Sequence, residues 1–313
     1  MAALVSIVDS VVTASLLASP ALLLAALGGM IHHRTGVVNI ALEGQILAGA
    51  FVGMIVADHS RHLIFGFLAA AGIGLALGWL TTLCVTRLGG NEIIVGLGST
   101  TLLVGLIGYL LDDWFGSSGT YRPDHLSHAY VFGVPALQDV PVLGPLLGGH
   151  DLMVWATPLV CVATALALSS TRIGLRARSI GEDPRTATNL GIPTDLYREG
   201  AGALAGLMAA VGGAHLATIA SGLFNVDMSA GRGFIALAAV YFGRGRVAMT
   251  VFPAMLFVVF DAAQRRIQTT GIEVPAQLIQ TLPYVAVIAA LALPTLRPRA
   301  RALATGLGRK EAV

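Results

Sequence analysis

The chain has 313 residues, 55% of them hydrophobic and 12% charged, with a mean hydropathy of +0.79. Soluble domains carry roughly 25% charged residues, so the composition excludes an ordinary soluble enzyme and points to a polytopic membrane protein. The formal net charge of +2 gives no basis for nucleic-acid binding, and Lys310 is the only lysine, which excludes a glycine-rich phosphate loop that needs a lysine after its turn.

Apolar runs of about 18 to 22 residues suit a helix that crosses a bilayer. In chain order the sequence predicts spans at 11–30, 38–57, 63–85 and 92–111. A long Pro/Gly-rich loop at 112–150 comes next, then a span at 152–169. A polar stretch at 172–193 precedes a sixth span at 200–220. The run 234–242 is apolar but short, and spans at 248–264 and 277–293 complete the set. The expected fold is an all-α polytopic membrane protein of about nine transmembrane segments, one short or broken. The transmembrane domain would cover 1–296, with a basic tail at 297–313. Residues 1–10 lack a basic leader, so no cleaved signal is expected. Cys84 and Cys161 lie in apolar runs and read as buried hydrophobes, with no disulfide framework or metal cluster.

The stretch 172–193 spells a helix with both ends marked. Asp183 can cap its N-terminus, Pro184 fits the first helical position, Gly191 suits the left-handed residue past the end, and Pro193 stops continuation. Arg172, Arg176, Arg178 and Arg185 crowd the same stretch, and such clusters belong on the cytoplasmic side. With this stretch inside, Arg34, Arg87, Arg244, Arg246 and the tail also fall inside, whereas Arg61, Arg122, Arg232, Arg265 and Arg266 fall outside. The N-terminus is then external, the C-terminus cytoplasmic and the loop 112–150 external. The helix is either an ordinary loop element or a docking element for a cytoplasmic partner.

Several polar residues interrupt the apolar runs. Glu43 lies within the second span, where an ionisable group costs about 2.5 kcal/mol or more and faces a cavity or a partner. Asn39, four residues earlier, would share its helix face, and Gly36 and Gly44 bracket the pair. Three roles stay open for Glu43: a structural pair with Arg34 or backbone, a lining of the substrate path with Asn39 and Gln45, or proton coupling. In the second odd stretch, Gly231 and Gly233 free the backbone before Phe234, so the following helix would offer unpaired N–H groups to a polar ligand. The alternative there is an external turn with an Asp227–Arg232 pair. Ile235-Ala236-Leu237 echoes Ile40-Ala41-Leu42 in the opposite direction, a weak hint of an inverted repeat. Gly49/Gly53, Gly74/Gly78 and Gly202/Gly206 have the spacing that lets helix backbones approach. His32, His33 and Arg34 read as an inner-boundary cluster, His215 as a hydrogen-bonded core residue, and Asp112, Asp113, Asp124, His125 and His128 as a solvated external surface. No catalytic nucleophile–base set is found, and no cofactor or metal is expected.

GGMIHHRTGVVNIALEGQILAGAFVG, RARSIGEDPRTATNLGIP, GRGFIALAAVYFGRGR and LPYVAVIAALAL together resemble, in register from Gly28 to Leu293, the permease subunits of bacterial ABC importers in the ribose/branched-chain amino-acid permease superfamily. The nucleoside (guanosine-type, simple-sugar) branch is the most similar. The resemblance implies that Glu182, Asp183, Pro184, Arg185 and Gly191 form a coupling segment docked on a separate cytoplasmic ABC ATPase. It implies a pathway near Asn39, Glu43, Gln45, Gly231 and Phe234, shared with a second homologous permease. It also implies an extracytoplasmic substrate-binding lipoprotein and a place in the bacterial inner membrane. The chain itself would do no covalent chemistry. ABC import of simple sugars and a gradient-driven secondary transporter using Glu43 are the alternatives.

Overall fold

The computed structural model describes residues 2–116, 119–123, 125–126, 131–132, 149–269, 281 and 285. The elements in order are α1 (Ala2–His33), α2 (Leu42–Ser60), α3 (Leu63–Thr86), α4 (Glu92–Phe115), β1 (Thr120–Tyr121), β2 (Val131–Phe132) and β3 (His150–Asp151). Then come α5 (Leu152–Ser170), α6 (Arg172–Glu182), α7 (Pro184–Asn189) and α8 (Thr194–His215), which continues through a π-helical turn (Leu216–Ser221). β4 (Phe224–Asn225), α9 (Arg232–Gly243) and α10 (Val247–Thr269) complete the series. Six of these helices are long and apolar enough to cross a membrane. The expected span 277–293 and the tail 297–313 lie outside the described residues.

Several helix starts are fixed by short polar side chains. Asn91 accepts from the N–H groups of Ile93 and Ile94 at the start of α4, and Asp151 accepts from Met153 and Val154 at the start of α5. Each satisfies donors that a first helical turn leaves unpaired. The second expected span begins later than predicted. Residues 37–39 are irregular, and α2 starts at Leu42. Asn39 and Glu43 therefore do not share a helix face.

α8 runs through the middle of the bundle against α1, α2 and α3. In lipid there is little hydrophobic drive between helices, so close packing must come from small residues. Gly74 and Gly78 of α3 meet Gly206 and Gly202 of α8 in antiparallel order, and a Cβ at Gly74, Gly78 or Gly206 would run into a backbone carbonyl of the facing helix. Gly49 and Gly53 of α2 face Ala210 and Ala214 of α8 in parallel order, where a Cβ at Gly49 would meet the Ala210 backbone and one at Gly53 the Ala214 side chain. α2 is the more fully buried of the two: fourteen of its nineteen residues are buried, against twelve of twenty-two on α8. By contrast, Leu68 on α3, Leu102 on α4 and Leu159 on α5 are 64%, 67% and 71% exposed, which suits lipid-facing positions.

The two ends of the bundle differ in charge. One end gathers Arg34, Arg87, Arg198, Arg244 and Arg246 with the arginines of α6 and α7. Residues 34–38 are tied there to Gly245 (the Arg34 guanidinium donates to its carbonyl), to Glu92 (Val38 N–H, 2.9 Å) and to Arg198 (onto the Thr35 carbonyl, 3.2 Å). At the opposite end β1 pairs antiparallel with β4, and β2 with β3. These two-stranded ribbons were not expected from the sequence. Asp58, near the end of α2, accepts from the Tyr121 hydroxyl and from the His125 N–H at 2.9 Å, so this part of the 112–150 loop folds back onto the helices.

Candidate functional site

The short apolar run is a twelve-residue helix, α9, about 18 Å long at 1.5 Å per residue. Its C-terminal end adjoins Gly245 and hence Arg34, and its N-terminal residues Arg232 and Gly233 are buried among the other helices. A buried helix start has N–H groups that need partners. Glu43 supplies them: Oε1 accepts from Gly231 N–H at 2.8 Å and Oε2 from Gly233 N–H at 2.6 Å. Gly231 adopts φ +78°, a left-handed conformation that only glycine enters cheaply. A Cβ on Gly233 would strike the backbone of Glu43 itself. The first turns of α2 and α9 thus abut, with one carboxylate between them. A carboxylate is acceptor-only, suits two donors, and is favoured by both helix dipoles.

The remaining polar residues close around this point. Asn39 Nδ2 donates to Gln45 Oε1 at 3.0 Å, and Asn39 Oδ1 accepts from Ala41 N–H at 3.1 Å, which steers the chain into α2. Asn39, Glu43 and Gln45 are all buried, whereas Phe234 is exposed on α9. The Asp227–Arg232 pair does not form. Arg232 is buried and reaches Asp261 of α10 at 3.3 Å, and Asp261 also holds Arg265 at 2.6 Å. Arg232 is thus a buried, paired cation rather than a free surface charge. The Glu43–Arg34 pair is absent as well, since Arg34 turns to Gly245. Of the five expected residues, four converge on the meeting of α2 and α9.

The second cluster is the elbow formed by α6 and α7. Asp183 caps α7 as its spacing requires: Oδ1 accepts from Arg185 N–H at 3.0 Å and from Thr186 N–H at 3.2 Å, while the Thr186 hydroxyl donates to Oδ2 at 2.5 Å. The Thr186 hydroxyl and N–H, helped by the Arg185 N–H, hold the Asp183 carboxyl below its usual range. Pro184 is the first helical residue, and Gly191 has φ +79°. Glu182 pairs with Arg178 at 2.8 Å on the surface. Arg185 is exposed, and Leu190 just beyond α7 is 75% exposed. The sequence reading missed that α6 is a helix of eleven residues, capped by Thr171. Its alternation of arginines with Gly174, Ala177 and Ile180 was the available signal.

Two contacts link the elbow to the interior. Gly181, near the end of α6, lies against the Arg34 carbonyl and Gly36, so the elbow touches the irregular segment that leads to Asn39 and Glu43. Glu199 of α8 is buried and takes both Nε and Nη2 of Arg87, at 2.5 and 3.1 Å, plus the Trp79 indole N–H at 3.2 Å. Glu199 was not singled out from the sequence; a lone acid near a predicted span boundary carries no distinctive pattern. His215 is a hydrogen-bonded core residue, 3.1 Å from the Asp151 carboxylate.

A bundle of apolar helices with a short, carboxylate-capped helix packed among them and a capped amphipathic elbow at its arginine-rich end defines a multi-pass membrane protein. The chain belongs to the family described as branched-chain amino acid transport system / permease component, which matches residues 11–293. Among its relatives, a protein of Lactococcus lactis subsp. cremoris described as a nucleoside ABC transporter permease protein is 31% identical over 92% of this chain and 93% of its own. A Bacillus subtilis protein described as a guanosine ABC transporter permease protein is 31% identical over 77% of each chain. A Haloferax volcanii protein described as a putative glucose ABC transporter permease protein is 29% identical over 96% of this chain and 95% of its own. No solved structure matches the chain.

Proposed function

We propose that this chain is the transmembrane permease subunit of an ABC importer, moving nucleosides, or simple sugars, by alternating access driven by ATP hydrolysis on a separate chain. The observation that carries the reading is the elbow. A capped six-residue helix stands exposed at the arginine-rich end, carries the apolar Leu190 beside it, and follows α6, whose Gly181 lies against the segment that feeds Glu43. The arginine bias supports a cytoplasmic position for this end, an external N-terminus and a cytoplasmic C-terminus. Glu182, Asp183, Pro184, Arg185 and Gly191 form the surface offered to the ATPase. A movement of α7 passes through α6 to residues 34–41 and on to the α2–α9 junction, where a rigid-body shift changes access. A second homologous permease would complete the path beside the exposed Phe234, and an extracytoplasmic binding lipoprotein would deliver the solute. The chain has no catalytic role in this scheme.

The names of the relatives support nucleosides first and sugars second. The gradient-driven alternative draws no support from Glu43, whose two oxygens are each held by a backbone donor. Co-purification in mild detergent tests the assignment. A stoichiometric ATPase and a second permease are expected, with ATP hydrolysis stimulated by solute-loaded binding protein. A homo-oligomer without an ATPase, retained after cross-linking, would overturn it.

A further inference from the structure

Between α5 and the pair α1 and α8 lies a cleft of about 740 Å³ with almost entirely apolar walls. It runs from Met153 and Val211 to Ile173 and Tyr197 at the arginine-rich end. Leu196 to Val211 on α8 corresponds to roughly 22 Å of helix, more than the ~15 Å of hydrocarbon in one leaflet. The Thr157 hydroxyl on its wall is turned to its own helix, donating to the Met153 carbonyl at 2.8 Å. Thr164 is the other hydroxyl along the α5 wall, and the lining is otherwise aliphatic there, so the cleft suits an apolar occupant better than a polar solute. Leu196 is 65% exposed and Ile173 69%, so the cleft is open to the surroundings at this end.

Its mouth is charged. Ile173, Gly174 and Ala177 of α6 line the cleft, while Arg172 and Arg176, one turn apart on the adjoining edge of the same helix, are exposed. Neither pairs with a carboxylate among the described residues. Arg176 donates to the Tyr197 hydroxyl at 3.0 Å, which holds its guanidinium at the rim. Apolar walls of acyl-chain length ending in two guanidinium groups that have no carboxylate partner among the described residues match a molecule with a hydrocarbon tail and an anionic phosphate.

We infer that this cleft is a binding site for an anionic glycerophospholipid, drawn from the leaflet on the α6 side, with an acyl chain between α5 and α8 and the phosphate on Arg172 and Arg176. Because α6 is the first arm of the elbow, the bound lipid sets the position of α7 relative to α8. The inference needs only that the chain sits in a bilayer, so its test is independent of the transport reading.

Native mass spectrometry of the full-length chain, purified from its own membrane and offered equal amounts of dioleoylphosphatidylglycerol and dioleoylphosphatidylcholine, reads the site directly. Wild type is expected to retain phosphatidylglycerol preferentially. R172Q/R176Q, a surface change, is expected to lower that preference by about thirtyfold, as two basic contacts would. A163F, which narrows the cleft, is expected to reduce retention of both lipids, with monodispersity on size exclusion as the check that the chain remains folded. Equal retention of the two lipids by wild type, or a preference unchanged in R172Q/R176Q, would overturn the inference. So would efficient cross-linking of A163C to A286C in a C84S/C161S background, which would mean that the segment 277–293 of this chain fills the cleft.

Discussion

Glu43→Gln keeps the shape of the side chain and removes one acceptor where the structure uses two. In the wild type both carboxylate oxygens take a backbone N–H, from Gly231 at 2.8 Å and Gly233 at 2.6 Å, in a site with little access to water. A hydrogen bond to a charged group contributes about 1.5–3 kcal/mol. The amide oxygen of Gln can serve one N–H, but its NH₂ group would face the other donor. E43Q should therefore lose about 1.5–3 kcal/mol, and E43A, which leaves both donors unpaired, about 3–6 kcal/mol. Thermal unfolding in mild detergent, followed by tryptophan fluorescence, should rank wild type above E43Q above E43A. G233A should also destabilise, because its methyl group would push on the backbone of Glu43. Since E43Q and G233A break the same junction, the double variant should lose less than the sum of the two. If E43Q and E43A unfold with the wild type, the carboxylate does not hold the junction. If E43Q leaves stability unchanged yet abolishes uptake that depends on a proton gradient, Glu43 is a coupling site and the capping argument fails.

Asp183→Ala should uncouple ATP hydrolysis from transport while Asp183→Asn, an equally good cap, keeps it coupled; reconstituted ATPase and uptake rates distinguish the two. The hydrogen bonds of Thr186 lower the Asp183 carboxyl in the folded chain, so its cap is fully present above the ordinary Asp value of about 4 and is lost only as pH falls through the lowered folded value. Exchange protection of the Arg185 and Thr186 amides should stay constant from pH 7 to about pH 5, and an earlier loss would contradict the assignment. Gly49→Leu should cost about 1–3 kcal/mol or more through overpacking against Ala210, whereas Gly105→Ala, with no neighbour within 4 Å, should be tolerated; melting temperatures of the two variants provide the comparison. Arg87→Ala leaves the buried Glu199 with the Trp79 indole as its remaining donor among the described residues, and should lower the melting temperature more than Arg178→Ala, whose partner Glu182 is as exposed as Arg178 itself.

Local chemistry made some elements readable in advance. Asp183, Pro184, Gly191 and Pro193 act within one or two turns of themselves, so the capped helix of the elbow follows from their order in the chain. The apolar runs likewise predicted most spans to within a few residues, because a helix in lipid must satisfy its own backbone. The glycine pairs announced close packing, but not that Gly74 and Gly78 would meet Gly206 and Gly202. Asn39 misled the helix start: its carbonyl oxygen bonds to Ala41 N–H and its amide to Gln45, a local arrangement that competes with the helix.

A polytopic membrane chain with one short apolar segment, a capped helix in an arginine-rich stretch and a carboxylate out of place in an apolar run were all legible in the residues alone. What that carboxylate does became visible only from the packing of the helices. Glu43 and Gly233 are 190 residues apart along the chain, and a hydropathy pattern records the cost of burying a charge but not the donor that offsets it. The same holds for Glu199 with Arg87, Arg232 with Asp261, and Gly181 against Arg34. Patterns within one helix are written in sequence spacing, whereas the partner of a buried polar group is fixed by which helices lie side by side.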